Sequence, residues 1–494
     1  MVKKQIARIL TVLLLAAVAA ISGAARAERL FPEALLFTQE VITEQPGTDM
    51  LMTVILPHTA REDVNEELKE IIEGMRDEGK PKLKTPEHKG LFKNQVNHLE
   101  AGAYIKRTGD RWMSFLLIGR VTDKRDTVWL DMTTRVYDME TGKRILLEDI
   151  IREEAWPALS EKVRAQLADM FPEEADAEKL DALCSREGLC SAGMTISPGH
   201  LSLIWRADEL YSPKLHPNCL MRAEIYVPEM TEMLTDEARA ETDCTGYALA
   251  ALTFDDGPKL GSSNQLLSEL QTYGGEYTFF IKGQNIEVVP DIVHREYDAG
   301  YSVQSHTWDH SITVTEAAVA MESKTKMDET MRSVIGTIPK MMRSPGGQDY
   351  RYREFHLGLP LIRWSVDSGD ADSENDRHLD STRVRYKVLR AEDGDIVLLH
   401  DTNPKGREHA RAYMTDLLNK NLMLVTVDDL CALRGIDLEP NAEIHEAPAA
   451  PTSAPVRTPD PDSKTDGPTP APTAPAWVMQ PRQTPGPGNT PAHP

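Results

Sequence analysis

Basic charge is what this chain has too little of: 55 Lys and Arg stand against 78 Asp and Glu in 494 residues, a formal net charge of −23. A nucleic-acid partner wants a basic face, and anionic membrane surfaces or wall polymers attract the same charge, so this balance argues against electrostatic binding to any of them. Long apolar runs are scarce as well. The run Ile9 to Ile21 has 13 residues, short of the roughly 20 that span a bilayer, and no later segment is long enough. Cysteine is sparse: Cys184, Cys190, Cys219, Cys244 and Cys431, none with zinc-finger spacing. Four of the five lie together, so one or two disulfides are expected there if the chain is exported. Cys431, isolated in an apolar helical context, is expected to be a buried small hydrophobe.

What is present begins with an address. Lys3, Lys4 and Arg8 precede the apolar run, and Ala25-Arg26-Ala27 follows it as a small-x-small cleavage site. These are the three parts of a secretory signal, so residues 1–27 are expected to be removed and the mature chain to be extracellular or wall-associated, with no membrane partner after cleavage.

From residue 28 to 243 the pattern is mixed. Trp112 to Val121 and Thr127 to Tyr137 alternate apolar and polar residues around Asp123-Lys124-Arg125-Asp126, which predicts a hairpin. Glu153 to Met170 spaces Trp156, Leu159, Val163 and Leu167 as one helix face. Strands with segregated helices predict an α+β domain. No catalytic constellation stands out in it, since His200 and His216 are separate in sequence. From 244 to 440 strands and helices alternate. Strands are predicted at Ala248–Phe254, Tyr277–Ile281, Tyr301–Gln304, Lys340–Arg343, Leu361–Val366, Asp395–Leu399 and Leu422–Val427, with helices such as Asn264–Tyr273 and Glu316–Val334 between them. Seven βα units predict a parallel sheet, open or closed into an incomplete barrel, with active-site residues at the C-terminal strand ends. Residues 441 to 494 hold 14 prolines and are expected to form a disordered tail.

The polar residues gather at those strand ends. The first strand runs into Thr253-Phe254-Asp255-Asp256-Gly257-Pro258, and the third into His306-Thr307-Trp308-Asp309-His310. One helical turn would place the two histidines on one face. With Asp256 they form two imidazoles and a carboxylate, a divalent-metal set for which zinc fits best and cobalt or iron(II) stays open. The fourth strand ends in Arg343-Ser344-Pro345-Gly346-Gly347, the fifth in Asp367-Ser368-Gly369-Asp370, and the sixth carries Leu398-Leu399-His400.

Taken in order, these five stretches resemble the motifs of the polysaccharide deacetylases of carbohydrate esterase family 4. The resemblance implies an α/β fold with an incomplete (β/α)7 barrel and hydrolysis of N-acetyl groups on a polysaccharide, peptidoglycan or a related N-acetylglucosamine glycan. An O-acetyl esterase acting on xylan, or a wall-binding or sensing protein that has lost activity, are the alternatives. By the same resemblance Asp256, His306 and His310 hold the metal and Asp255 is the base. Arg343 holds Asp255 ionised and oriented, His400 is the general acid with Asp370 as its partner in preference to Asp367, and Pro345, Gly347 and Leu398 contact the substrate. Two positions depart from the family pattern, since Gly346 and Ala371 stand where aromatics usually wall the acetyl group and sugar. Upstream, Val136 to Lys143, Leu147-Glu148-Asp149 and a strand pair near Leu201–Trp205 and Met221–Val227 resemble a domain of unknown function found in exported bacterial wall deacetylases and sensors.

Overall fold

In the computed structural model, residues 32–448 are described apart from 48, 85–96, 124–125, 171–175, 212–217, 313, 372–380 and 421, together with Thr11–Val12. The first region is built on a mixed sheet of β1 (Phe37–Gly47), β2 (Met50–Thr59), β3 (Asn97–Thr108), β4 (Trp112–Asp123) and β5 (Asp126–Asp138), in that order, with Thr11–Val12 beside β1. Helix α1 (Glu62–Gly79) connects the parallel pair β2 and β3 and buries Val64, Leu68, Ile72 and Met75 at helical spacing. β4 and β5 form the predicted antiparallel hairpin. The predicted helix begins as a short 3-10 turn and continues as α2 (Trp156–Asp169), which buries Trp156, Leu159, Val163 and Leu167. A three-stranded antiparallel sheet follows: β6 (Gly193–Ile196), β7 (His200–Arg206) and β8 (Leu220–Tyr226).

The second region alternates as expected. β9 (Ala248–Asp255) is buried almost throughout and pairs in parallel with β10 (Thr278–Ile281), which pairs with β11 (Ser302–Ser305). Helix α3 (Ser262–Tyr273) lies between β9 and β10, and α4 (Pro290–Asp298) between β10 and β11. Beyond β11, helix α5 (Ala317–Ile335) stops at Gly336, whose left-handed φ of 74° lets its N–H close on Arg332 O. Parallel bridges then run from Ser305 to Met342 and from Met342 to Leu361. On the other side β9 pairs with β14 (Ile396–His400), which pairs with β13 (Val366–Asp367).

Three elements differ from the sequence expectation. The fourth strand shrinks to the single residue Met342, which bridges Ser305 on one side and Leu361 on the other. The fifth splits into β12 (Leu361–Ile362) and β13, because the Arg343 side chain takes the Ile362 and Arg363 carbonyls at 3.0 and 2.9 Å that a continuous ladder would use. The seventh, β15 (Leu422–Leu424), pairs with Ala248–Ala250 of β9 and stops before Thr426, whose hydroxyl caps helix α7 (Val427–Leu433) by accepting from Asp429 N; helix α6 (Gly406–Asn419) precedes β15.

The tail expected from residue 441 begins in contact with the fold. β16 (Glu443–Ile444) pairs in parallel with β12, and Ile444 and Ala447 are buried, because the outer side of β12 offers an unpaired edge. Residues 449–494 lie outside the described residues. None of the five cysteines is in a disulfide; Cys184, Cys219 and Cys431 are buried, as small apolar side chains commonly are. Residues up to 450 form one compact unit, and its apolar clusters cross the predicted boundary at 243. Tyr104, Leu116, Ile118 and Ile204 share a cluster with Leu252, Phe279 and Tyr301. Among the described residues no helix is long and apolar enough to cross a membrane.

Candidate active site

β9 and β14 lie side by side in register, so that Asp255 is the direct neighbour of His400. Both end their strands, and the four loops that follow β9, β11, the Met342 bridge and β13 supply the rest of the site. Asp255 is 3% exposed, and its Oδ1 accepts a hydrogen bond from an Arg343 guanidinium nitrogen at 2.7 Å. That same nitrogen is 2.7 Å from Thr253 Oγ1. Arg343 is fully buried with its guanidinium 4.2 Å from the Phe280 ring centre, and burial lowers its pKa, against the pull of Asp255. Two carbonyls, one hydroxyl and one carboxylate therefore fix the guanidinium, and the guanidinium fixes Asp255.

The Asp256 backbone is left-handed, with φ of 77°. Its Oδ1 lies 3.3 Å from His310 Nε2, 3.7 Å from His306 Nε2 and 3.6 Å from Lys282 Nζ. Burial pushes the Asp256 carboxyl up, and His306, Lys282 and His310 outweigh it, leaving its pKa below the ordinary value. His306 Nδ1 is 2.9 Å from Arg343 O; a carbonyl only accepts, so Nδ1 carries the hydrogen and Nε2 presents its lone pair toward Asp256 Oδ1 and Asp255 Oδ2, each 3.7 Å away. Burial holds the His306 pKa low and its ring neutral, as ligation requires.

The two imidazoles do not share a helical turn. His306 to His310 is a loop with φ of 66° at Thr307 and 59° at His310, which no helix permits, and the carbonyls of Thr307 and Trp308 accept the N–H groups of Gly283 and Gln284 at the start of the short helix Gly283–Val288. The rings still meet, with centroids 4.9 Å apart. One donor atom from each of Asp256, His306 and His310 falls within 4.8 Å of the others. Two ligands at ~2.0–2.1 Å in a tetrahedral site would be about 3.3 Å apart. The observed spacings fit, and Asp256 Oδ1, buried without a hydrogen-bond partner, is the orphan that a cation satisfies. A divalent ion therefore suits these three residues.

On the other flank His400 Nδ1 is 2.8 Å from Asp370 Oδ1, and the His400 N–H donates to Asp370 Oδ2 at 2.8 Å. Burial works against the charged imidazole, but the bond to Asp370 prevails and the His400 pKa is raised to about 9. Asp370 is 2% exposed, whereas Asp367 is exposed and accepts from Gly369 N, so Asp370 is the partner. Pro345 and Gly347 bound a 3-10 turn in which Gly346 and Gly347 both have positive φ. Leu398 stands two residues before His400 on β14 and shares its strand face. Gly346 leaves its space open: a Cβ there would meet only Ile312, 3.6 Å away, itself 52% exposed.

Several contributors were not singled out from sequence. Lys282, Asn285, Ser263 and Asp401 all touch the Asp255–Lys259 segment or its side chains. Of these only Asp401 carried a signal, its place directly after His400. A second set within ligand distance, His200, Glu276 and Asp429, joins the two regions. It already holds a cation: Lys106 Nζ lies 2.5 Å from Glu276 Oε1, and all four side chains are buried. His200 is thus a satisfied member of a buried ion network, held by Asp429 at 2.9 Å, a partner that its sequence neighbours did not reveal. His216 lies outside the described residues.

Residues 242–354 match the family profile described as polysaccharide deacetylase. Over 182 residues the chain is 34% identical to the peptidoglycan-N-acetylglucosamine deacetylase PgdA of Listeria monocytogenes, covering 36% of this chain and 38% of that protein. It is 28% identical to the peptidoglycan-N-acetylmuramic acid deacetylase PdaC of Bacillus subtilis, covering 39% and 40%. A solved structure of the latter is 26% identical, with a TM-score of 0.36, over 38% of this chain and 93% of that one. The chain thus spans about two fifths of the length of these two curated relatives.

Proposed function

We propose, from the match of residues 242–354 to the polysaccharide deacetylase profile, that the protein is an exported, divalent-metal-dependent de-N-acetylase of peptidoglycan or a related N-acetylglucosamine glycan. In this reading 244–440 is an incomplete (β/α)7 barrel, 28–243 an accessory α+β region, and zinc the resident ion. The observation that carries the reading is the convergence of three ligand atoms of Asp256, His306 and His310 between two separately braced groups, Asp255 on Arg343 and His400 on Asp370.

Bound there, a divalent ion would polarise an acetyl carbonyl and acidify a water. Asp255 takes the water's proton on Oδ2, the oxygen that Arg343 leaves free and that faces His306 Nε2 at 3.7 Å, while the Arg343 bond to Oδ1 holds the carboxylate in place. His400, protonated at neutral pH, donates from Nε2 to the departing nitrogen, since Nδ1–H is committed to Asp370. The acyl C–N bond breaks, giving acetate and a glucosaminyl amine. Amide cleavage requires a proton for its leaving group, and a histidine raised to about 9 supplies it. The test is acetate release by the zinc-loaded protein from N-acetylglucosamine oligosaccharides and from acetylated xylan in parallel. Release from the first alone supports the reading, and release from xylan alone would make the protein an esterase.

A further inference from the structure

Asp401 follows His400 at the end of β14, is completely buried, and has no part in the chemistry above. Its position is peculiar in that it touches the chain on both sides of Asp256. Its N–H donates to Asp255 O at 3.3 Å. Its carboxylate lies against Gly257 so closely that a Cβ at that glycine would sit 2.0 Å from Oδ2 and 2.5 Å from Cγ. Oδ2 also accepts from Ser263 Oγ at 2.7 Å, and that hydroxyl accepts from Lys259 N at 2.7 Å. The Asp401 carboxylate, the Ser263 hydroxyl and the Lys259 amide form one chain of hydrogen bonds that fastens the turn leaving Asp256 to the first turn of α3.

Asp256 needs such fastening. A φ of 77° is unfavourable for a residue with a Cβ, and it persists only where the surroundings over-determine it. From the opposite side Asn285 Nδ2 donates to Asp256 O at 3.0 Å and Lys282 N to Gly257 O at 2.8 Å. Those bonds hold the peptide from one side, and the Asp401 carboxylate supplies the nearest atoms to Gly257 on the β14 side.

We propose that Asp401 is a positioning residue: by bracketing Asp255 O and Gly257 and by anchoring Ser263, it keeps Asp256 left-handed, so that its carboxylate meets His306 and His310 and the three bind a divalent ion tightly. The proposal rests on the metal reading of that group. It also accounts for Gly257, which is required here by the close approach of a carboxylate and not by positive φ.

The experiment is zinc affinity of the metal-stripped full chain, by competition with a chromophoric chelator, for wild type, Asp401→Ala, Asp401→Asn, Ser263→Ala and His306→Ala, with thermal unfolding of each apo-protein alongside. Loss of a supporting residue behind a metal ligand weakens binding by about 10–100-fold, and Asp401→Ala should fall in that range. Ser263→Ala should lose less. Asp401→Asn, which keeps an oxygen for Ser263 and the same shape against Gly257, should stay near wild type. A purely structural role would move unfolding and leave the affinity of the folded fraction unchanged, which would overturn the proposal, as would wild-type affinity in both Asp401→Ala and Ser263→Ala. If Asp401→Ala does not fold, Ser263→Ala and Asp401→Asn decide by the same criteria. Absence of zinc binding by wild type, or equal binding by His306→Ala, would sink the metal reading itself and this proposal with it.

Discussion

Asp255 and Asp256 are neighbours in sequence that share His306 at 3.7 Å but differ in their other partners, and that difference divides the work of the site. The first is held by a buried guanidinium, the second by two imidazoles and a left-handed backbone. Asp256→Asn should therefore lose most zinc affinity, whereas Asp255→Asn should keep it and lose about 10²–10⁴-fold in kcat; equilibrium zinc titration and single-turnover acetate release separate the two. Loss of zinc from Asp255→Asn as severe as from Asp256→Asn would show the two roles reversed.

The His400 prediction concerns pH. Its folded pKa of about 9 lies above the ordinary 6.5, so the proton stabilises the fold fully below the ordinary value and that contribution disappears as pH rises through about 9. Activity that needs the protonated acid should fall across the same alkaline limb. Asp370→Asn, which removes the cause of the shift, should move the limb of kcat toward acid and lower kcat at pH 8. An unmoved limb would assign it to another group. At this scale the sequence was informative, because the ligand, base and acid residues are polar side chains at the ends of apolar strands. The braces were less so: Ser263 and Asn285 are ordinary helix residues whose roles exist only once β9, α3 and β14 are packed together.

At the scale of elements, alternation of strand and helix was legible because apolar runs such as Ala248–Phe254 are bounded by polar strand ends and glycines. Departures arise where side chains compete with the ladder. Arg343 captures the carbonyls that would have continued the fifth strand, and the carbonyls of Thr307 and Trp308, turned to a helix start, keep His306–His310 from coiling. Composition also misplaced one boundary, since the proline-rich tail begins after a segment that donates Ile444 and Ala447 to the core. A chain ending at 440 should accordingly be less stable than one ending at 448 by about 2–4 kcal/mol, the transfer of one isoleucine and one alanine plus the pairing with β12. Matched urea denaturation of the two truncated chains measures this, and equal midpoints would mean that β16 contributes nothing.

At the scale of the whole molecule, the upstream region and the catalytic region share buried charge as well as apolar contact. Lys106 pairs with Glu276, Glu100 with Arg295 and Arg120 with Asp298, each pair crossing the boundary that sequence composition had suggested. Composition could not show this, because alternating strands look alike whether their outer face meets water or another sheet. Lys106→Met should leave Glu276 buried against Asp429 without its cation and lower stability by about 3–5 kcal/mol, read by calorimetry, while zinc affinity at the distant strand ends stays unchanged.

Mass spectrometry of muropeptides and N-acetylglucosamine oligosaccharides incubated with the zinc-loaded full chain, beside His306→Ala and Asp255→Asn, tests metal-dependent de-N-acetylation most directly. Wild type should yield products lighter by one acetyl group per turnover, with a new free amine on the sugar, and both variants should yield almost none. Unchanged masses with wild type, or undiminished acetyl loss in metal-stripped His306→Ala, would contradict it.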